Sequence, residues 1–276
     1  MSQKIALVSG ASSGLGKVIV KQLARDGFYV FATARSKEKL EAMRSEYIEP
    51  LVLDVTKDAD VMAAVEYIIK TKGQLDVLVN NAGYGYAATI EDGSIKNVKS
   101  QFEVNYFGVM RLTQAVLPHM RERKSGRIIN MSSLVGQVSY PIFGYYASTK
   151  HALEAFSDSL RMEMVQFGVK VVLIEPGAIK TGFGDIMLRE LEGSHKTKSY
   201  EILTNAFKRE AANTYRRAPG ADVIAKVIHQ SVVSKSPKRR YVVGIDAKFL
   251  IFLKNKLGAF FVDYSLLRML KINKRT

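Results

Sequence analysis

Two patterns of apolar residues alternate along the chain. Short apolar runs typical of buried strands recur at residues 4–8, 28–33, 49–54, 75–79, 127–132, 169–175 and 240–244. Between them, apolar residues return with the period of a helix at residues 15–25, 37–47, 58–72, 97–122, 145–167 and 220–234. This alternation predicts an α/β fold, a doubly wound parallel sheet (Rossmann fold) of about seven strands with helices on both faces. Ligands of such sheets bind beyond the carboxyl ends of the strands, so functional residues are expected there.

The length and the order of elements predict one domain over residues 1–276, which is enough chain to bury a full core. Residues 182–218 interrupt the alternation with a polar and charged stretch. Two interpretations stay open for this stretch, a surface excursion and a mobile lid over a substrate. Its position after Pro176 and Gly177 favours the lid.

Basic residues are concentrated at the end of the chain. The whole chain carries a net charge of +15, and residues 235–276 hold eleven Lys and Arg against Asp246 and Asp263. Apolar residues are interleaved with them, so residues 245–276 are predicted to form a basic amphipathic helical extension. This extension can pack on the core or over an apolar pocket, or it can lie on an anionic membrane surface. A basic patch alone is only an electrostatic footprint, so we predict no nucleic-acid partner.

The sequence contains no cysteine, which excludes a disulfide framework, a thiolate nucleophile and a zinc–thiolate site. The four histidines, at positions 119, 151, 195 and 229, show no ligand spacing, so no metal site is predicted. Neither a signal peptide nor an apolar run long enough to span a membrane is visible. We therefore expect a cytoplasmic protein, with peripheral contact at a membrane surface left open.

A tyrosine and a lysine form a candidate proton-transfer pair. Tyr146 and Lys150 lie four residues apart in the predicted helix 145–167, and therefore on one face, one turn from each other. A free phenol has a pKa of about 10 and is a poor base at neutral pH, but a neighbouring ammonium lowers that pKa. Tyr145, five residues from Lys150, points away around the helix. Such a pair is also common on solvated helices, so the other motifs of the chain decide whether it is interpreted as catalytic.

A glycine-rich loop follows the first predicted strand and precedes the first helix. Gly10 permits a tight turn, while Gly14 and Gly16 let the backbone approach a phosphate. The helix start then offers free N–H groups and a positive dipole to an anion. The loop residues expected to bind a nucleotide are Gly10, Ser12, Ser13, Gly14, Leu15 and Gly16.

Seven short motifs, in order and spacing, resemble the short-chain dehydrogenase/reductase family from residue 4 to about residue 181. They are the glycine loop, residues 54–55, residues 80–83, residues 105–108, Ser133, Tyr146 with Lys150, and residues 176–181. The likeness is to the shorter, non-extended branch, and the tail is more loosely similar to hydroxysteroid and retinol dehydrogenase-like members. The resemblance implies hydride transfer between a nicotinamide cofactor and a hydrophobic carbonyl or alcohol. It also implies a homodimer or homotetramer, formed through the helices that hold Asn105 and Tyr146.

The resemblance implies a role for each catalytic residue. Tyr146 is expected to act as the general acid/base, and Lys150 to lower its pKa and bind the nicotinamide ribose. Ser133 is expected to orient the substrate carbonyl, and its register of thirteen residues before Tyr146 selects it over Ser132. Asn105 is expected to hold a water chain that links Lys150 to solvent.

The resemblance also implies the remaining cofactor contacts. Asp54 and Val55 are expected at the adenine, and Asn81, Ala82 and Gly83 along the adenine ribose. The nicotinamide and its phosphates are expected to lie against Pro176, Gly177, Ile179 and Thr181, and the nicotinamide ribose against Tyr146 and Lys150.

The end of the second strand predicts NADP(H) rather than NAD(H). NAD-specific sites usually place an acid there to bind the ribose 2′-hydroxyl, but this chain has Ala34, followed by Arg35. A guanidinium can bind a 2′-phosphate through two hydrogen bonds, with Ser12 as a second donor. The alternative is that Arg35 is only a solvated residue.

Two other functions stay open. A reductase of 3-oxoacyl thioesters on acyl carrier protein would suit a basic surface, although such enzymes typically end near the last strand. A non-catalytic cofactor-binding regulator usually lacks the tyrosine or the lysine, and both are present in this chain.

Overall fold

The computed structural model describes residues 3–194 and 196–272, and the predicted sheet is confirmed in it. All seven strands are parallel, in the order β3-β2-β1-β4-β5-β6-β7. The strands are β1 (Ile5–Ser9), β2 (Tyr29–Ala34), β3 (Ile48–Val52), β4 (Val77–Asn80), β5 (Gly126–Met131), β6 (Val169–Pro176) and β7 (Arg240–Val243). The helices are α1 (Gly14–Arg25), α2 (Lys37–Glu41), α3 (Asp58–Lys72), α4 (Ile95–Phe102), α5 (Gly108–Glu122), α6 (Gly144–Met164), α7 (Phe183–Ser194), α8 (Glu201–Arg217), α9 (Asp222–Val233), α10 (Ile245–Leu257) and α11 (Ala259–Met269). His195 and the basic residues Lys274 and Arg275 lie outside the described residues.

The central strands are apolar throughout because both of their faces are covered. In β1, Ala6 and Val8 pack into a core with α1 and α9, whereas Ile5 and Leu7 pack into a second core with α3, α5 and α6. A strand that is buried on both sides reads as a continuous apolar run rather than as an alternating one.

The strand order reverses at β1, which lies between β2 and β4. Chain segments that leave β1 and β4 therefore diverge to opposite sides of the sheet, and a crevice opens between them. The glycine loop follows β1 and Asn81 follows β4, so the topology itself brings two of the predicted motifs together.

Two predicted helices differ from those in the structure. The segment 97–122 is divided into α4 and α5 by a π-helical turn at Glu103–Phe107, and the segment 37–47 is helical only to Glu41. π-Helical turns are often found at functional sites, where the wider turn redirects a side chain. Asn105 lies in this turn and is its buried residue.

The polar stretch 182–218 is mostly helical rather than irregular. Met187 and Leu191 on α7 and Phe207 on α8 are buried together, while most charged residues of both helices are exposed. The sequence of this stretch is polar on average, and its buried apolar positions are few and widely spaced. The two apolar faces were therefore not recognised from the sequence.

The C-terminal extension forms α10 and α11, which pack against the body of the protein. Ala247, Val262 and Leu266 are buried in a cluster with Leu134 and Val138. Within the described ranges, no helix combines the length and the apolar character needed to cross a membrane.

Candidate active site

A cavity of about 1660 Å³ opens at the carboxyl edge of the sheet. Cavities that bind one small molecule usually measure about 300–1,000 Å³, so this one has room for a dinucleotide and a second ligand. All predicted site residues except Asn105 line it: Gly10, Ser12, Ser13, Gly14, Leu15, Gly16, Arg35, Asp54, Val55, Asn81, Ala82, Gly83, Ser133, Tyr146, Lys150, Pro176, Gly177, Ile179 and Thr181.

The glycine loop is shaped for close backbone approach. Gly10 has φ +66°, and a Cβ on it would lie 2.7 Å from the Cα of Ala82. A Cβ on Gly16 would collide with the carbonyl oxygen of Gly10. Gly14 differs, since a Cβ there would meet no atom nearer than the Thr181 Cβ at 4.0 Å. The loop is therefore packed tightly against β4 but stays open at the start of α1, as a nucleotide pyrophosphate requires.

Hydrogen bonds fix the loop after β1 to the loop after β4. The Oγ of Ser9 accepts from the N–H groups of Asn81 and Ala82 at 3.0 and 3.1 Å. The amide of Asn81 donates to the carbonyls of Ser9 and Gly10 at 3.0 and 3.1 Å. These bonds hold the two walls of the crevice at a fixed separation.

Arg35 and Asp54 lie at the far end of the cavity. Arg35 is exposed at the end of β2 and shares this part of the cavity wall with Ser12, Ser36 and Lys39. Burial favours a higher pKa for Asp54, but the hydrogen bonds from Thr56 and the charge of Arg35 outweigh it and hold the pKa below its usual value. This end of the cavity therefore presents two cationic and two hydroxyl donors beside one anionic carboxylate.

Tyr146 and Lys150 are both buried on the inner face of α6. The Nζ of Lys150 lies 5.7 Å from the centroid of the Tyr146 ring and donates a hydrogen bond to the carbonyl of Met131 at 2.7 Å. Burial lowers the pKa of Lys150 to about 8, and the nearby charge of Glu154 acts in the opposite direction. The lysine is therefore poised to change protonation close to neutral pH.

The pKa of Tyr146 differs in direction from the sequence-based expectation. Burial raises it above that of a free phenol, Tyr215 raises it further, and a hydrogen bond with Ser133 lowers it. The ring packs beside Phe143 and Phe183, with centroids 5.8 and 5.5 Å away. Desolvation by these neighbours dominates, so the phenol stays protonated in the chain by itself.

Ser133 rather than Ser132 lies beside Tyr146. The Ser133 hydroxyl contacts the phenol, donates to the carbonyl of Pro176 at 3.4 Å and accepts from the N–H of Val135 at 3.3 Å. Ser132 is buried with its hydroxyl lacking a hydrogen-bond partner among the described residues. The hydroxyl close to the phenol is therefore the one that the register of thirteen residues selects.

Asn105 is fully buried beneath the site and does not line the cavity. Its amide group accepts from the N–H of Tyr84 at 3.0 Å and donates to the Tyr84 carbonyl at 2.9 Å and to Thr149 at 3.2 Å. A Cβ on Gly83 would lie 3.0 Å from the Asn105 Oδ1 and 3.8 Å from the Lys150 Nζ. Asn105 therefore fixes the loop after β4, and the missing side chain of Gly83 leaves space between the asparagine and the lysine.

Sequence reasoning missed the side of the cavity that faces away from the glycine loop. Its apolar lining includes Phe143, Phe183, Met187, Phe207, Leu250, Leu266 and Met269. Four helices, α7, α8, α10 and α11, contribute these residues together with Phe143, which immediately precedes α6, and no local motif marks them. The result is an apolar chamber that begins at the Tyr146 ring.

Asp246 is a second residue that sequence reasoning missed. It lies in the first turn of α10, and its Oδ2 accepts a hydrogen bond from the N–H of Ala178 at 2.9 Å. The missing side chain of Gly177 allows this approach, since a Cβ there would collide with the carboxylate. The extension thereby holds the loop 176–181 in place, and an acid just after Gly244 was the sequence signal for it.

Comparison with protein families gives a match to the model described as short chain dehydrogenase, over residues 4–189. The chain is 37% identical to a 3-ketodihydrosphingosine reductase of Bacteroides thetaiotaomicron over 93% of both chains. It is 36% identical to an NADPH-dependent 3-dehydrocapnine reductase of Ornithobacterium rhinotracheale, over 87% of this chain and 88% of that one. It is also 30% identical to rat retinol dehydrogenase 16, over 95% of this chain and 87% of that one.

Solved structures agree with these sequence matches. A short-chain dehydrogenase from Streptomyces avermitilis superposes over 100% of both chains, with a TM-score of 0.81 and 32% identity. An alcohol dehydrogenase from Thermococcus sibiricus, complexed with 5-hydroxy-NADP, has a TM-score of 0.72 and 28% identity over 88% of this chain and 96% of that one. A Burkholderia phymatum protein in complex with NAD shares the fold, with a TM-score of 0.78 and 23% identity over 92% of this chain and 94% of that one.

Proposed function

The chain belongs to the short-chain dehydrogenase/reductase family and is therefore an oxidoreductase. We propose that it interconverts a carbonyl and an alcohol on a hydrophobic substrate, with NADP(H) as the cofactor. One observation carries this proposal. The phenol of Tyr146 lies where the cavity changes from a polar half, built on the glycine loop, to an apolar half, built on α7, α8, α10 and α11. A reacting carbonyl at that boundary would meet the nicotinamide on one side and the phenol on the other.

The protein's contribution to the reaction is to orient the carbonyl and to supply the proton. The nicotinamide cofactor supplies or accepts the hydride. In the reductive direction, Ser133 donates a hydrogen bond to the carbonyl oxygen and the Tyr146 hydroxyl transfers its proton to that oxygen. Its raised pKa keeps the phenol protonated before this step. The ammonium of Lys150 then stabilises the phenolate that forms.

Arg35 supports NADP(H) as the cofactor. Its exposed guanidinium lines the cavity at the end of β2, where Ala34 leaves no acid to accept from a ribose 2′-hydroxyl. The Ornithobacterium relative is NADPH-dependent, whereas solved neighbours hold NAD or NADP. Family membership therefore supports a nicotinamide cofactor, and the preference for the phosphorylated form rests on Arg35.

The apolar chamber supports a hydrophobic substrate. Aromatic and aliphatic side chains from four helices, together with Phe143, form its wall, so binding there removes apolar surface from water. The relatives named as reductases of ketodihydrosphingosine and dehydrocapnine favour a carbonyl substrate. We therefore place reduction before oxidation as the physiological direction.

A homodimer or homotetramer through α5 and α6 belongs to the same proposal. Phe107, immediately before α5, and Met162, on α6, expose apolar side chains, as does Val165 just after α6. Exposed apolar side chains on these two helices are available for burial in an interface.

The test is NADPH oxidation measured with a panel of fatty aldehydes, steroids, retinal and β-ketoacyl thioesters, with Tyr146→Phe as the inactive variant. We expect wild-type turnover on at least one hydrophobic carbonyl. Tyr146→Phe should keep its melting temperature and its affinity for NADPH but lose activity by roughly 10²–10⁴-fold or more.

Tyr145→Phe is the matched control, because the Tyr145 hydroxyl bonds the carbonyl of Ile90 at 2.8 Å, away from Lys150. It should retain activity. Turnover confined to the thioesters would favour the acyl-carrier-protein reductase. NADPH binding without turnover on any carbonyl would favour a regulator, and appreciable activity in Tyr146→Phe would exclude the mechanism.

A further inference from the structure

The outer faces of α10 and α11 carry the same pattern twice. In each helix, three apolar residues follow one another at intervals of four and then three, which places them on one face. All six are exposed to solvent, Ile245 by 89% and Phe260 by 74%. These six residues, called the outer stripes below, are Ile245, Phe249, Phe252, Phe260, Tyr264 and Leu267.

The opposite faces of the same helices are firmly packed. Ala247 on α10 and Val262 and Leu266 on α11 are buried against Leu134 and Val138. The outer stripes therefore lie on the solvent side of these helices, with Phe249 at the edge of the cavity. The six side chains are not part of the core, and exposed apolar patches rimmed by polar residues mark sites of contact with a protein or a membrane.

Positive charge borders the outer stripes. Lys248 and Lys256 on α10, with Arg268 on α11 and Lys271 after it, are exposed beside them. The acids of this segment are Asp246, which binds the N–H of Ala178, and Asp263. Apolar residues bordered by cations match the interface of a bilayer that contains anionic lipids, where acyl chains lie beneath phosphate groups.

We propose that the outer stripes bind the surface of an anionic lipid bilayer, with α10 and α11 lying in its interfacial layer. The helices contain 13 and 11 residues, too few to span a membrane, which takes about 20. A second copy of the chain is a poorer occupant, since each copy carries a net charge of +15 and the same cations would face each other.

The cavity lies next to the proposed membrane contact, which suggests a route for the substrate. This part of the inference rests on the proposed function. Phe249 and Leu250 on α10, and Ser265, Leu266 and Met269 on α11, line the cavity. Phe249 belongs to both surfaces, so the cavity wall continues into the outer stripes. A hydrophobic substrate could then pass from the bilayer to the apolar chamber without crossing water.

The experiment is flotation of the full-length protein with two kinds of vesicle, phosphatidylcholine alone and an equal mixture of phosphatidylcholine and phosphatidylglycerol. No substrate or cofactor is present, so the result is independent of the proposed function. We expect flotation with the mixed vesicles only, weakening as salt is raised. The charge variant Lys248→Glu/Lys256→Glu/Arg268→Glu should lower partitioning about tenfold or more.

An apolar variant tests the outer stripes themselves. Phe252→Ser/Phe260→Ser/Leu267→Ser leaves the cavity lining unchanged and should also abolish flotation. Matched controls change exposed residues on other helices and should float as wild type does. They are Lys21→Glu/Lys70→Glu/Lys226→Glu for charge, and Met62→Ser/Ile202→Ser/Val233→Ser for apolar surface.

Melting curves and the oligomeric state of each variant complete the test. If a triple variant does not fold, the single changes Lys256→Glu and Phe260→Ser take its place. Wild-type protein that stays unbound with mixed vesicles overturns the proposal, as does equal flotation of the variants. Conversion of a dimer to a monomer by the apolar variant, with flotation unchanged, would instead assign this face to self-association.

Discussion

At the scale of single residues, two pairs of identical neighbours show how the backbone conformation decides which side chain reaches the cavity. Tyr145 and Tyr146 differ by about 100° around α6, so one hydroxyl bonds Ile90 at the surface and the other enters the cavity. Ser132 and Ser133 follow a strand, where neighbouring side chains point to opposite sides. In both pairs the residue types are equal and the direction of the side chain decides the role.

Arg35 carries the first prediction at this scale. Arg35→Ala should raise the KM for NADPH by roughly tenfold or more, because a charge-assisted bidentate contact to a phosphate is lost. The KM for NADH should stay nearly constant, since NADH has no 2′-phosphate. Lys37→Ala, two residues away and outside the cavity lining, is the control and should leave both constants unchanged. Equal loss with the two cofactors would mean that Arg35 stabilises only the local fold.

At the scale of elements, α6 is built around a repeat of four residues. Tyr146, Lys150 and Glu154 follow at i, i+4 and i+8 and are all buried on its inner face. Glu154 accepts from Arg240 at 3.0 Å and from Gln137 at 3.1 Å, while its Oε1 has no hydrogen-bond partner among the described residues. The carboxylate is therefore fixed one turn beyond the lysine, where its charge favours the ammonium form.

Glu154→Gln should lower the pKa of Lys150 further below its ordinary value. Burial already lowers this pKa to about 8, and the variant removes the charge that opposes burial. If carbonyl reduction requires the ammonium, the alkaline limb of the pH profile of kcat/KM should move to lower pH. Asp158→Asn is the control, because it removes another carboxylate from Arg240, one turn farther from Lys150. A uniform loss at every pH, without movement of the limb, would indicate a structural role only.

The sequence predicted the sheet, and with it the polar half of the cavity wall, because both depend on local signals. A buried parallel strand is a continuous apolar run, and motif residues at strand ends are brought together by topology alone. The apolar chamber could not be predicted in this way. Phe183, Phe207 and Met269 meet only after three helices pack, and the tertiary contacts between them have no fixed spacing in the chain. The pKa of Tyr146 was misjudged for the same reason, since Phe143 and Phe183 desolvate it.

At the scale of the whole molecule, one partly buried ionic cluster joins α6 to the last strand. Arg240 on β7 contacts Glu154 and Asp158 on α6 and Glu175 on β6, at 3.0, 2.7 and 3.0 Å. Arg161 also bonds Asp158, at 3.3 Å, so three carboxylates face two guanidinium groups, and the buried members of the cluster are the carboxyls of Glu154 and Glu175. Burial, with the charge of Glu154, raises the pKa of Glu175 to about 7. The cluster is therefore stable with a proton on this carboxyl.

Protonation of Glu175 should make the stability of the whole fold depend on pH. Its pKa is about 4.5 in an unfolded chain and higher in the folded one, so folding takes up a proton between these values. The free energy of unfolding therefore loses this contribution as the pH rises through about 7. The glutamine of Glu175→Gln cannot titrate, so the variant does not lose this contribution. The melting temperature of the variant minus that of wild type should therefore increase from pH 5 to pH 8. A change of about 2–4 °C corresponds to roughly 1 kcal/mol in a chain of this size. Glu163→Gln, at an exposed position on α6, should give a difference that is constant with pH. A constant difference for Glu175→Gln as well would show that the carboxyl is ionised throughout, with Arg240 compensating all three acids.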